Sequence, residues 1–271
     1  MSIFHTIHHY LQQQKYAINA TLLGDDASLA WTNLGYWHQT AHYPMACRQM
    51  ADHLAQAIAL GTSDHLIDLG CGHGASLLHW QQHYQVQQLT AVEWQDECVQ
   101  QIRLQLPDVS MQQGSFLHLK ALFPQQRFDV ALCMDAAYHS ALNVFLNSVR
   151  AILKTDARFA FHYLILSEQW HDVSAIKKKQ YGYMLKAADV NIQNLLSEQE
   201  SRQQIEQAGF AQVQIEDLTT QVLGGFAAYI QSSSDQIRSL DAFKIQMTAK
   251  LCQKLYQDGL IRYVQIVAQA T

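Results

Sequence analysis

The sequence predicts an α/β fold: a mostly parallel sheet with helices on both faces and helical insertions toward the C-terminus. Three observations predict it. Short apolar runs alternate with helical-period segments between residues 65 and 166, the pattern of repeated βαβ units. A glycine-rich turn, "DLGCGHGA" (68–75), follows the first of these runs and opens a helical segment. The chain has 271 residues, 49% hydrophobic and 15% charged, enough for one large core or a core with a sizeable cap.

Residues 2–20 carry Ile3, Ile7, Tyr10 and Leu11 at helical spacing, which predicts an amphipathic helix. "NLGYWHQTAHY" (33–43) reads as an aromatic loop, and residues 44–60 as a helix opened by Pro44 and ended before Gly61. Residues 1–60 thus read as an N-terminal helical lid on a domain spanning 61–271. In that domain, strands are expected at 65–69, 88–94, 109–114, 128–135 and 157–166. Helices are expected at 75–84, 95–106 (stopped by Pro107) and 140–154. A further helix over 197–210 is closed by Gly209, and strands follow at 211–218 and 260–269. The stretches 167–196 and 219–259 read as cap insertions, the second helical over about 226–257.

Charge excludes several partners. The formal net charge is −5 and no long basic run exists, so neither a nucleic acid backbone nor an anionic membrane surface is expected as a partner. Lys177-Lys178-Lys179 reads as a solvated helix face. The five cysteines are scattered without a CxxC pair, which points to neither a metal site nor a disulfide framework. No apolar stretch reaches the roughly 18 residues of a membrane span, and the N-terminus lacks the charged and apolar regions of a signal peptide. A cytoplasmic location is the expectation. Both a monomer and a homodimer fit the sequence.

The glycine turn is the strongest chemical signal. Gly70, Gly72 and Gly74 stand where free backbone N–H groups and the positive end of a helix dipole meet. Glu93 ends the second strand, 19 positions after Gly74, where an acid can accept from ribose hydroxyls. The spacing Gly70-x-Gly72-x-x-Ala75 also satisfies a dinucleotide fingerprint, so an NAD-dependent oxidoreductase stays open. Asp68 discriminates. A carboxylate there repels a pyrophosphate and attracts an ammonium group. S-adenosyl-L-methionine carries an amino group, a ribose and a sulfonium, and no phosphate.

"LIDLGCGHG" resembles the first motif of class I S-adenosylmethionine-dependent methyltransferases, and "NLGYW" and "DAAYH" resemble their small-molecule branch. The resemblance runs from about residue 33 to the C-terminus, with its core at 64–166. It implies a Rossmann-like seven-stranded sheet, mostly parallel with an antiparallel last strand. It implies methyl transfer to an O, N or C atom of a small-molecule acceptor, with S-adenosyl-L-methionine as cofactor. By the same resemblance Asp68, Gly70 and Gly72 hold the methionine end, Gly74 allows close approach, Glu93 binds the ribose and Trp94 lines the adenine. Where the family usually has an acid after the third strand, this chain has Ser115, and Phe116 is a stacking alternative. Tyr36 and Trp37 are implied as a lid over the cofactor.

Methyl transfer to a protonated nucleophile asks for a base, usually His. "MDAAYHS" ends the fourth strand, which makes His139 the candidate base and Tyr138 and Asp135 candidates for orienting substrate or cofactor. Tyr181, Tyr183, Met184, Phe226 and Tyr229 are candidate pocket walls. A non-catalytic cofactor-binding protein is the remaining alternative.

Overall fold

A computed structural model describes residues 19–233 and 239–271, so the helix expected over 2–20 falls almost wholly outside the described residues. The strands are β1 (His65–Leu69), β2 (Gln88–Glu93), β3 (Ser110–Gln113), β4 (Phe128–Cys133), β5 (Leu153–Leu166), β6 (Phe210–Asp217) and β7 (Ile261–Ala270). They form one seven-stranded sheet in the order β3-β2-β1-β4-β5-β7-β6. β1 to β5 run parallel, and β7 is antiparallel to both β5 and β6. The sheet is the one the sequence implied.

The main helices are α1 (Tyr43–Ala57), α2 (Ala75–Gln82), α3 (Asp96–Gln105), α4 (Leu142–Arg150), α5 (Ala175–Ala187), α6 (Glu198–Gln207), α7 (Gly225–Ser232) and α8 (Leu240–Asp258). Their ends follow from local chemistry. Ser197 and Glu200 form a reciprocal capping box at the start of α6. The Ser239 hydroxyl accepts from Ala242 N–H at the start of α8, and left-handed Gly259 closes it. The helix expected over 140–154 is shorter, because β5 already pairs with β4 at Leu153. The helical stretch expected over 226–257 is two helices, α7 and α8.

Successive residues of β5 point to opposite faces of the sheet and show what covers each. Phe159 and Phe161 meet Phe145 of α4 with ring centroids 5.7 Å and 5.4 Å away. All three rings are fully buried, each contributing roughly 2–3 kcal/mol. His162 points the other way, toward the side where His53 of α1 hydrogen-bonds Gln265 of β7 at 3.0 Å.

His162 is fully buried, and neither ring nitrogen has a hydrogen-bond partner among the described residues. Burial, and then the neighbouring His53, push its pKa down to about 3, opposed by the nearby Gln265 side chain. The unfolded chain therefore binds the extra proton first. This stability is fully present above the unfolded value of about 6.5 and is lost as pH falls toward 3. Urea titrations at pH 7 and pH 5 are expected to show wild type losing about 2 kcal/mol more than His162→Phe over that interval. Parallel curves for the two proteins would contradict this.

Candidate active site

The carboxyl ends of β1, β2 and β4 and the helices α5, α7 and α8 surround a cavity of about 840 Å³, within the range of small-molecule and cofactor sites. β1 delivers Asp68, which is buried. Its Oδ2 accepts from the Ser76 hydroxyl at 2.8 Å and from the Trp80 indole N–H at 2.7 Å. Among the described residues no side-chain donor reaches Oδ1, and Asp68 lines the cavity. Burial pushes its carboxyl up to about 6, opposed by the Trp80 and Ser76 donors.

The glycine turn follows. Gly70 and Gly72 have φ of +76° and +55°, values that favour glycine. A Cβ on Gly70 would stand 3.1 Å from Ala136 Cβ, and one on Gly72 2.9 Å from Thr32 Oγ1. Both glycines line the cavity. Gly74 does not. Its φ is +89°, and a Cβ there would stand 2.8 Å from Ile102 Cγ1 of α3. The close approach it allows in this structure is that of the neighbouring helix α3. Gly74→Ala adds left-handed strain to a clash, so urea unfolding is expected to show a loss of about 2–4 kcal/mol. An unchanged midpoint would mean that α3 gives way freely.

At the end of β2, Glu93 is also buried. Its Oε1 accepts from Trp94 N–H at 2.9 Å and Gln95 N–H at 3.0 Å, and its Oε2 from Gly72 N–H at 3.0 Å. A carboxylate offers about four acceptor sites, so a ligand hydroxyl would find its place on Oε2. Burial raises this carboxyl above its ordinary range, the backbone donors oppose that, and the Asp68 charge adds to it. Trp94 is 41% exposed and lines the cavity with Ser115 and Phe116. The Ser115 hydroxyl accepts from Leu117 N–H at 3.2 Å, capping a short 3-10 turn. Phe116 is held edge-on against Phe145.

Asp135, just beyond β4, has φ of +55°. Its Oδ1 accepts from the Tyr138 hydroxyl at 2.7 Å and the Tyr263 hydroxyl at 3.0 Å, and its Oδ2 from Leu34 N–H at 2.8 Å. Burial pushes it up to about 6 against those three donors. His139 lines the same cavity, its Nδ1 3.2 Å from the Asp189 carbonyl oxygen. A carbonyl can only accept, so a neutral imidazole carries its proton on Nδ1 and Nε2 is the basic nitrogen.

Tyr36 and Trp37 are not brought to the cavity wall. Tyr36 stacks on His53 at 4.8 Å. Trp37 stacks on Tyr229 at 4.4 Å and donates its indole N–H to the Leu34 carbonyl. The segment just before them reaches the cavity instead, through Trp31, Thr32, Asn33 and Leu34. Among the candidate walls, Met184 and Phe226 line the cavity. Tyr181 is buried and donates to Asp258, Tyr183 is exposed, and Tyr229 donates to the Leu23 carbonyl. Sequence reasoning missed Tyr263, and in the insertion 219–259 it named Phe226 and Tyr229 but none of the α8 residues that line the cavity. No group of metal-ligating side chains occurs among the described residues, and none of the described helices is long and apolar enough to cross a membrane.

The chain belongs to the methyltransferase-domain family, whose profile matches residues 4–215. No curated protein matches the sequence. Among solved structures, it is similar to geranyl diphosphate C-methyltransferase from Streptomyces coelicolor, at 16% identity and a TM-score of 0.72, covering 96% of this chain and 97% of that one. That protein was solved with Mg2+, geranyl diphosphate and S-adenosyl-L-homocysteine. It is also similar to the cyclopropane synthase MmaA2 from Mycobacterium tuberculosis, at 15% identity and a TM-score of 0.72, over 95% and 98% of the two chains. The [4+2]-cyclase SpnF aligns at 15% identity and a TM-score of 0.67, over 96% of this chain and 95% of that one. At these identities the likeness is one of fold, and fold leaves the reaction to the site.

Proposed function

We propose that this protein binds S-adenosyl-L-methionine over its glycine turn and transfers the methyl group to an O, N or C atom of a small-molecule acceptor held in the same cavity. One observation carries the reading: two buried carboxylates, Asp68 and Glu93, flank the glycine turn, and among the described residues no Lys or Arg is a hydrogen-bond partner of either. A cationic ligand lowers the cost of burying them, whereas a pyrophosphate raises it. The family, and the neighbours solved with S-adenosyl-L-homocysteine or sinefungin, favour the same cofactor.

Asp68 Oδ1 takes the ammonium group, with Gly70 and Gly72 letting the backbone approach. Glu93 Oε2 takes a ribose hydroxyl, and Trp94, Ser115 and Phe116 surround the adenine. When bound, S-adenosyl-L-methionine supplies an electrophilic methyl group on a sulfonium that leaves as a neutral thioether. The protein's share is alignment and exclusion of water, which can supply on the order of 7–11 kcal/mol. His139 Nε2 takes the proton the acceptor loses. The Tyr138 hydroxyl donates its hydrogen bond to Asp135 and so acts in orientation, with Tyr263 as its counterpart from β7.

The test is to incubate the full chain with methyl-labelled cofactor and a metabolite extract. Label is expected in one acceptor, and the product reports the attacking atom. Cofactor binding without transfer to any acceptor would favour a non-catalytic binding protein.

A further inference from the structure

One wall of the cavity is α8, which takes no part in holding the cofactor as placed above. Lys244, Lys250 and Lys254 line the cavity from this helix, alternating with Ile245, Leu251 and Leu255. Phe226 of α7 and Met184 of α5 extend the apolar surface. Phe243 and Met247, a helical turn apart, line the cavity yet remain 60% and 47% exposed. Exposed apolar side chains contiguous with a cavity mark a surface that a ligand covers.

The lysines differ in their partners. Lys254 Nζ is 2.8 Å from Asp258, and Lys244 Nζ is 3.7 Å from Asp241. Lys250 has no carboxylate within ion-pair distance among the described residues, although it stands four positions from Lys254 on the same helix. The cavity therefore has two electrical characters. Buried carboxylates line it at the ends of β1 and β2, while along α8 the ammonium groups outnumber the single carboxylate, Asp241, that lines it from that helix.

We propose that the methyl acceptor is an anionic amphiphile, an apolar body ending in a phosphate or carboxylate, with its body against Ile245, Leu251 and Phe226 and its charge at Lys250. This rests on the methyl-transfer reading of the cavity. The apolar body is removed from water along the wall. The anion receives charge-assisted hydrogen bonds. Lysine ammonium groups act as point charges without the planar fork of arginine, so either anion suits them.

The probes are decyl phosphate, decanol and decyltrimethylammonium, each titrated below its aggregation concentration into the full chain saturated with S-adenosyl-L-homocysteine. Decyl phosphate is expected to bind about tenfold more tightly than decanol, and the cation more weakly than either. Lys250→Glu is expected to lower decyl phosphate affinity about tenfold and to leave decanol unchanged, and Lys250→Arg to restore it. Equal binding of all three head groups overturns the proposal, as does unchanged phosphate affinity in Lys250→Glu. Adsorption to phosphate-headed vesicles without binding of the monomer also overturns it. S-adenosyl-L-homocysteine binding, followed in the same samples, separates the two claims. If that ligand binds while head groups are not distinguished, only the acceptor class fails. If it does not bind, the cofactor reading fails.

Discussion

Replacing Asp68 by Asn is expected to lower the affinity for S-adenosyl-L-methionine by about 100-fold while the chain stays folded. The magnitude is that of a lost charge-assisted hydrogen bond, with an amide N–H now facing the ligand's ammonium group. Asn keeps the volume, and its carbonyl oxygen can still accept from Ser76 and Trp80, which both donate to Oδ2 in the native site. Asp68→Ala would strand those two donors, at about 1–3 kcal/mol each, and would confuse binding with stability. The native carboxyl titrates near 6. Its charged form is the one that binds, so affinity falls as pH falls through that value. From pH 7 to pH 5 calorimetry is expected to show about a tenfold loss, and a smaller one in Asp68→Asn. Native-like affinity in Asp68→Asn would remove the residue from the cofactor site.

His139→Gln is expected to lower kcat by about 100- to 10,000-fold for an O, N or C acceptor that must lose a proton. Cofactor affinity should stay unchanged, because His139 lies beyond β4 and not on the glycine turn. The tautomer supports the role: Nδ1 faces the Asp189 carbonyl, which leaves Nε2 as the basic nitrogen. An equal kcat in wild type and His139→Gln would assign the proton to another acceptor.

Much of the fold was legible because its signals are local. The apolar runs that became β1, β2 and β4 are bounded by glycine or polar turns, and each βα pair is contiguous in the chain. The glycine turn and its flanking acids were legible for the same reason. What was not legible depends on tertiary contact. Tyr263 donates to Asp135 across 128 positions of sequence, and nothing in "LIRYVQ" announces it. The aromatic pair Tyr36-Trp37 advertises surface area but not direction, and the chain turns it onto His53 and Tyr229 rather than into the cavity. On α8, the sequence does not say which of the interleaved lysines and apolar residues face the cavity, and only the fold decides it. At Gly74 the sequence cannot say whether the turn glycine makes room for a ligand or for a neighbouring helix, and the fold puts Ile102 2.8 Å from where its Cβ would stand.

The most direct measurement is calorimetric titration of the full chain with S-adenosyl-L-methionine and with NAD, side by side at pH 7. A saturable signal with the first and none with the second is the predicted result. Saturable NAD binding, with no heat from S-adenosyl-L-methionine at millimolar concentration, would contradict the assignment of Asp68 and Glu93 to a cationic nucleoside.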